Sequence, residues 1–347
     1  MTKQFEPFVH ANDSLADPTE LKAMLAERGY LFLQGLIPPR TIGALRYEMR
    51  QVLLENGYVV EDPQCELKWS GKIPEGDEMT PGGRVGRFLS ALPSLQGVIY
   101  SEELQRVLQD LFGGEIRSWV ENMDRLRAQF QSDMSSTSGG QWYSYTTPAH
   151  QDGYHFDVPF VTAWIPLMDI DLKTGGLALL KGSHQEGLQQ HWWQGRRYLG
   201  IAESTQHAQA MAAQGGTVVA GAVEPHDRPK TWLRSNYTAG DVLIFHPHMV
   251  HKGVGNRSQQ LRLSGDFRYQ RAGTRSVWQA SRRLFEAHEY LTEARQCLEQ
   301  LKIHPALADR AWELMRQEGP PDTVDVQTQA SRFAARVLNQ ASDAEAD

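Results

Sequence analysis

Between residues 115 and 270 the chain is a succession of short strand-like segments set between turn residues, and this pattern restricts the fold more than any other feature. "FVTAWIPLMDI" (160–170), "LALLKG" (177–182), "TWLRSNY" (231–237), "DVLIFHP" (241–247) and "RLSGDFRYQ" (262–270) are rich in aliphatic, aromatic and β-branched residues, with Gly, Asp and Asn between them. "QWYSYTTP" (141–148) has the same character. Parallel strands would need helical crossovers between them, and none is legible here, so an all-β sandwich or barrel is predicted rather than βαβ units. An insertion at about 184–230, with "HWWQGRRYLG" and an Ala/Gln-rich stretch, interrupts this core.

The flanks read as helices. Asp17 is placed to cap a helix with Pro18 at its first position and Gly29 at its end, and "YLFLQGL" then reads as a strand. Pro38 and Pro39 open a second amphipathic helix, and "SEELQRVLQDLFGG" reads as a capped helix ending at glycines. The Pro-, Gly- and charge-rich stretch at about 60–87 is read as a loop. "RRLFEAHEYLTEARQCLEQLK" and "ALADRAWELMRQEG" read as C-terminal helices within 281–336, and 338–347 as a disordered tail. With no repeat and no clear linker, a single domain over 1–347 is expected: N-terminal helices and strand over 1–114, the β core over 115–270, and the C-terminal helices.

Charge and cysteine usage narrow the function classes. A formal net charge of −7 without a Lys/Arg run leaves no basic patch for nucleic acid or an anionic membrane, so a small-molecule partner is expected. Cys65 and Cys297 are the only cysteines, in no CxxC spacing, which argues against a disulfide framework or thiolate zinc site and fits a reducing compartment. No stretch approaches the roughly 18–20 apolar residues of a membrane span, and the first residues lack a signal-peptide run. A cytoplasmic location is expected; oligomeric state is not legible.

Within this frame, "TPAHQDGYHFD" (147–157) carries two His-x-Asp triplets, His150/Asp152 and His155/Asp157. A His-x-Asp on a strand puts both side chains on one face, because the strand period is two. Downstream, "DVLIFHPHMVHKGVGNRSQQLRLSGDFRYQ" (241–270) offers His246, His248 and His251, then Arg262 and Ser264. If 241–251 stays extended, His246 and His248 face away from His251. Two histidines and one carboxylate can hold non-haem Fe(II) on one face and leave other positions open. An Arg, whose guanidinium binds a carboxylate bidentately, with a neighbouring Ser hydroxyl suits a carboxylate ligand.

These segments together resemble the phytanoyl-CoA dioxygenase family of Fe(II)/2-oxoglutarate oxygenases, over roughly residues 20–270. The likeness lies in "ERGYLFLQGLIPPRTIGALRYEMRQVL", in "HQD", in "VTAWIPLMDIDLKTGGLALLKGSH" and in "FHPHMVHKGVGNRS…LRLS". The resemblance implies a mainly β fold with flanking helices around a double-stranded β-helix (jelly-roll, cupin-like) core. It implies His150, Asp152 and His251 as catalytic iron ligands, Arg262 on the distal carboxylate of 2-oxoglutarate with Ser264 as helper, and Trp164 beside the cosubstrate. His155 is then substrate-facing or structural. With Fe(II), 2-oxoglutarate and O₂, the implied reaction is hydroxylation or another oxidation of an unactivated C–H in a small-molecule metabolite, such as a natural-product intermediate or amino-acid derivative, releasing succinate and CO₂. A fatty-acyl-CoA hydroxylase, a zinc hydrolase using the same three ligands, and a non-catalytic jelly-roll binding protein stand as alternatives. Asp152 disfavours halogenation, since the halogenating relatives replace this carboxylate. The 60–87 loop and the Trp192, Trp193, Arg196, Arg197 cluster are candidate substrate contacts.

Overall fold

The computed structural model describes residues 4–75, 78–79, 83–119, 125–131, 147–154, 158–194, 197–274, 294–318 and 326–344. In chain order the first unit contains β1 (Gln4–Glu6), α1 (Pro18–Arg28), β2 (Tyr30–Leu33), α2 (Pro39–Glu55), α3 (Arg84–Ser90), α4 (Leu95–Ile99), α5 (Glu102–Phe112), β3 (Ile116–Ser118) and β4 (Arg125–Gln129). There follow β5 (Val161–Pro166), β6 (Gly176–Leu180), β7 (His191–Gln194), β8 (Arg197–Ile201), α6 (Thr205–Ala213), β9 (Thr217–Ala220), β10 (Thr231–Leu233), β11 (Val242–Phe245), β12 (His251–Val254) and β13 (Arg262–Arg271). The second unit holds a helical segment at 294–300, α7 (Pro305–Glu318) and α8 (Val326–Ala344).

The quoted strand segments become β5, β6, β10, β11 and β13 in two mainly antiparallel sheets. One has the order β1-β10-β6-β12; the other has the order β2-β11-β5-β13-β3, with β4 also on β13. Leu177 and Leu179 of the first sheet share one core with Trp164, Phe245 and Leu263 of the second. The architecture is thus mainly β with flanking helices, and the sheets are compatible with a jelly-roll core. Residues 141–146 of "QWYSYTTP" lie outside the described residues.

β13 explains how the second sheet is covered. Leu263, Phe267 and Tyr269 join the cluster that includes Ile99, Leu104, Val107 and Leu108 of α4 and α5, and the Tyr269 hydroxyl donates to the Ile99 carbonyl at 2.9 Å. The alternating residues Arg262, Ser264, Asp266, Arg268 and Gln270 are also buried. Helices therefore close the apolar face, and the polar face turns inward.

The N-terminal expectations hold in detail. The Asp17 carboxylate accepts from the Thr19 and Glu20 backbone N–H groups at 2.9 and 3.1 Å, and Gly29 ends α1 at φ +78°. Other expectations change. Ser101 precedes α5 without a side-chain capping bond, and the end of the 60–87 loop is already helical in α3. The insertion that interrupts the core has a fold of its own: β8-β7-β9 form a third sheet, with α6 between β8 and β9 in the chain.

The sequence reading expects one domain with flanking C-terminal helices. By proximity along the fold, 1–152 with 159–273 forms one compact unit, and 153–158 with 274–347 a second. The second has its own apolar cluster, in which Ala294, Leu298, Ala311, Met315, Ala330, Phe333, Ala334 and Val337 pack together. α8 runs to Ala344, into the stretch whose polar composition predicts a disordered tail. Among the described residues no helix is long and apolar enough to cross a membrane.

Candidate metal centre

His150 and His251 are brought together by backbone pairing. Each donates its N–H to the other's carbonyl at 2.9 Å, forming an antiparallel bridge. Directly opposed residues in such a pair project their side chains to the same face, and the two imidazole centroids lie 4.0 Å apart. The His150 Nδ1–H donates to the Pro148 carbonyl at 2.9 Å, and the His251 Nδ1–H to the Met249 carbonyl at 3.0 Å. That tautomer leaves both Nε2 lone pairs free to bind a cation.

Asp152 completes the group by a route the sequence does not show. The strand reading of His-x-Asp fails here, because pairing stops at His150 and Asp152 opens a 3-10 turn, Asp152–Tyr154. Its orientation comes instead from hydrogen bonds on a single oxygen. Oδ2 accepts from the Thr162 hydroxyl at 2.6 Å and from Arg268 Nη2 and Nε at 2.9 and 3.2 Å. Oδ1 then lies 3.6 Å from His150 Nε2 and 3.7 Å from His251 Nε2. One ligand atom from each of the three residues falls within 4.8 Å of the others, the only such group among the described residues.

The electrostatics match a cation site. Burial, reinforced by the His251 ring, holds His150 well below the ordinary imidazole value, and burial likewise lowers His251. Both rings are therefore neutral ligands near pH 7. For Asp152, burial opposes ionisation, but Arg268, the two histidines and the Thr162 bond outweigh it and hold the carboxyl far below its usual range.

Gln151, between the two ligands, points away and anchors the segment. Its amide donates to the carbonyls of Gly187 and His248 at 2.8 and 2.6 Å, and its backbone N–H donates to His191 Nε2 at 3.2 Å. His191 lies on the insertion's β7 and is fully buried. The insertion thus buttresses the ligand-bearing turn.

Arg262 is buried as well, and Nη1 donates to the Gly176 carbonyl at 3.2 Å. Its guanidinium lies 5.9 Å from the centre of the Trp164 ring, which packs edge-on against Tyr237 at 4.8 Å. No carboxylate partners Arg262 among the described residues, and its Nε and the Ser264 Oγ are buried without hydrogen-bond partners. Burial first, and Arg127 next, push the Arg262 pKa down to about 9. Gly176 pairs with Val254, and His251 with Leu179, so the anchor sits three ladder steps from the metal group. At about 3.3 Å per residue, that is roughly 10 Å. A cation, a hydroxyl and an indole at that distance fit a short dicarboxylate that reaches a metal with its other end.

Other predicted residues fall elsewhere. The chain turns after Phe245, so the parity argument for His246 and His248 does not apply; His246 accepts the His248 N–H at 3.0 Å and packs 5.9 Å from the His184 ring. Neither joins the triad. Trp193 is buried against Tyr198 at 4.9 Å, inside the insertion's sheet. His155 and Asp157, like Arg196, lie outside the described residues. The sequence reading missed Thr162, Arg268, Asp266, Arg127, Gln151 and His191. The legible signal was the alternation of charged residues along β13 beside Arg262 and Ser264, a row that looks like a solvent face until its burial is known.

The profile of the family described as phytanoyl-CoA dioxygenase (PhyH) matches residues 25–264. A 1-deoxypentalenic acid 11-beta-hydroxylase of Streptomyces exfoliatus is 26% identical over 288 residues, covering 79% of this chain and 88% of that protein. The peroxisomal phytanoyl-CoA dioxygenase of Bos taurus is 27% identical over 124 residues, 33% of this chain and 31% of that protein. Among solved structures, the non-heme alpha ketoglutarate dependent carbocyclase SnoK from nogalamycin biosynthesis aligns at a TM-score of 0.46 and 16% identity, over 77% of this chain and 87% of that one. The profile spans both histidines, Asp152 and Arg262, and the chain belongs to the phytanoyl-CoA dioxygenase (PhyH) family of non-haem Fe(II)/2-oxoglutarate oxygenases.

Proposed function

We propose that this enzyme hydroxylates an unactivated C–H bond of a small-molecule metabolite, with His150, Asp152 and His251 as the Fe(II) ligands and Arg262 as the 2-oxoglutarate anchor. The observation that carries the reading is the pairing of a largely buried two-histidine, one-carboxylate cluster with a buried guanidinium that has no carboxylate partner among the described residues. A zinc hydrolase would leave that cation without a role. When bound, iron with 2-oxoglutarate and O₂ supplies the oxidising chemistry, and succinate and CO₂ are released.

The chain's own residues bind and orient. The two Nδ1–H bonds to backbone carbonyls hold the imidazoles in the ligating tautomer. Thr162 and Arg268 occupy Oδ2 of Asp152, so Oδ1 is presented alone. Arg262 and Ser264 receive the far carboxylate, and the Trp164 and Tyr237 rings wall that end of the site against water. The hydroxylase among the relatives, named for its action on a small organic acid, supports hydroxylation as the outcome and a small metabolite as the substrate class. The net charge of −7 favours a small metabolite over a CoA thioester. A cytoplasmic location and a single working domain belong to the same reading.

The test is succinate formed from 2-oxoglutarate with and without Fe(II), in wild type and Asp152→Ala, backed by anaerobic titration of both ligands. Iron-dependent succinate that disappears in the variant is the expected result. Equal turnover in Asp152→Ala, or a wild type that binds neither ligand, would sink the assignment.

A further inference from the structure

Asp152 lies outside the β-ladder, at the start of a turn, so no strand geometry fixes which way its carboxylate faces. Its rotation is set from one side. Thr162 and Arg268 are direct cross-strand partners on β5 and β13, and that register delivers three N–H and O–H donors to the same oxygen. An Arg side chain long enough to reach Asp152 has several rotamers, and holding it in one of them has an entropic cost. Something must hold Arg268 itself.

The structure supplies that hold two residues back along β13. Asp266, buried, lies 3.5 Å from Arg268 Nη2 through Oδ2. Asp266 is gripped in turn by Arg127 on β4, with Nε to Oδ1 at 2.9 Å and Nη2 to Oδ2 at 3.1 Å. The side chains alternate in charge from the ligand outward: Asp152, Arg268, Asp266, Arg127. The first three are buried and Arg127 is half-buried, with 35% of its side chain exposed. In a low-dielectric interior a charge-assisted, bidentate pair restricts orientation as well as contributing energy.

We propose that Asp266 and Arg127 are positioning residues that, through Arg268, keep Asp152 turned so that Oδ1 alone faces the metal. Neither residue touches the metal group. The inference rests on the triad assigned above. Without the outer pair, the Arg268 guanidinium is held less firmly, Oδ2 relies more on the Thr162 hydroxyl, and the carboxylate rotates more readily to present both oxygens to the metal. Partners of metal ligands that act in this way typically contribute a tenfold to hundredfold factor in metal affinity.

The experiment uses the full-length protein and Co(II) as the probe, with its dissociation constant and visible absorption read under nitrogen. Wild type and Asp152→Ala set the frame: Co(II) binding that is lost in Asp152→Ala is expected, whereas a wild type that binds none overturns the triad and this inference with it. Asp266→Asn is expected to weaken Co(II) about tenfold or more, and to shift the saturated visible spectrum as the coordination changes. A purely structural role would lower the melting temperature of the metal-free protein and leave that spectrum unchanged. Arg127→Gln, at a half-exposed position, carries the same expectation and decides the matter if Asp266→Asn fails to fold by circular dichroism. Affinity within twofold of wild type together with an unaltered spectrum, in a folded variant, would overturn the proposal while leaving the triad standing.

Discussion

Arg262 is a guanidinium held in the interior with one backbone carbonyl and an indole for company, next to a serine hydroxyl that bonds to nothing among the described residues. Buried charges are rare without a counter-charge, because desolvation costs several kcal/mol. An anionic ligand resolves that cost, which is why the pair reads as a receptor rather than as packing. Removing it takes away charge-assisted bonds of about 1.5–3 kcal/mol, so Arg262→Ala is expected to weaken 2-oxoglutarate roughly tenfold to a hundredfold while metal affinity stays within a few-fold. Arg262→Lys should not restore it, since an ammonium cannot grip a carboxylate with two parallel N–H groups. Anaerobic titration of the Co(II)-loaded variants with 2-oxoglutarate measures this, and an unchanged cosubstrate affinity would remove Arg262 from the site.

At the level of elements, the insertion's sheet is coupled to the ligand-bearing turn. Gly200 on β8 has φ +91°, and a Cβ there would stand 2.8 Å from both the Ala149 carbonyl oxygen and Pro148 Cβ. The next residue, Ile201, donates its N–H to Ala149 at 2.7 Å, and Pro148 in turn accepts the His150 ring proton. Gly200→Ala is therefore expected to cost about 1–3 kcal/mol from left-handed strain alone, and to loosen the metal by pushing residues 148–150 out of register. Thermal melting and Co(II) titration together check this. A variant with both unchanged would mean that β8 does not press on the turn. The fold of the insertion was not legible from its sequence: "HWWQGRRYLG" alternates too irregularly to declare strands, and a bulge between Trp192 and Trp193 breaks the period.

For the whole molecule, several buried imidazoles make the metal-free fold sensitive to acid. Burial lowers the His191 pKa to about 4, against an ordinary value of 6.5. Between these two pH values the unfolded chain binds the extra proton, so stability is fully present above about 6.5 and is lost as pH falls toward 4. The slope is up to about 1.4 kcal/mol per pH unit for one such group. His150 and His251 are depressed in the same direction and add to it, while Asp241, raised by burial, acts in the opposite sense at the acid end. The melting temperature of metal-free protein should fall steadily from pH 7 to pH 5. A flat profile would mean that these rings are solvated and readily protonated. In metal-loaded protein the fall should be steeper, because protons also compete for the ligand nitrogens.

The linear order of residues already specifies the identities that chemistry requires: two histidines, a carboxylate and an Arg-x-Ser, in an order and spacing set among antiparallel strands. It also determined the local punctuation, such as the Asp17 cap and the Gly29 stop, because those signals act within a few residues of themselves. How the Asp152 carboxylate is turned is set by the folded chain, because that orientation comes from Thr162 and Arg268, 10 and 116 positions away in the chain. Likewise, the charged row on β13 reads as a solvated face in one dimension, and becomes an interior ladder only when a second sheet closes over it. Local period and residue type are written along the chain, but burial and long-range hydrogen bonding depend on which strands meet.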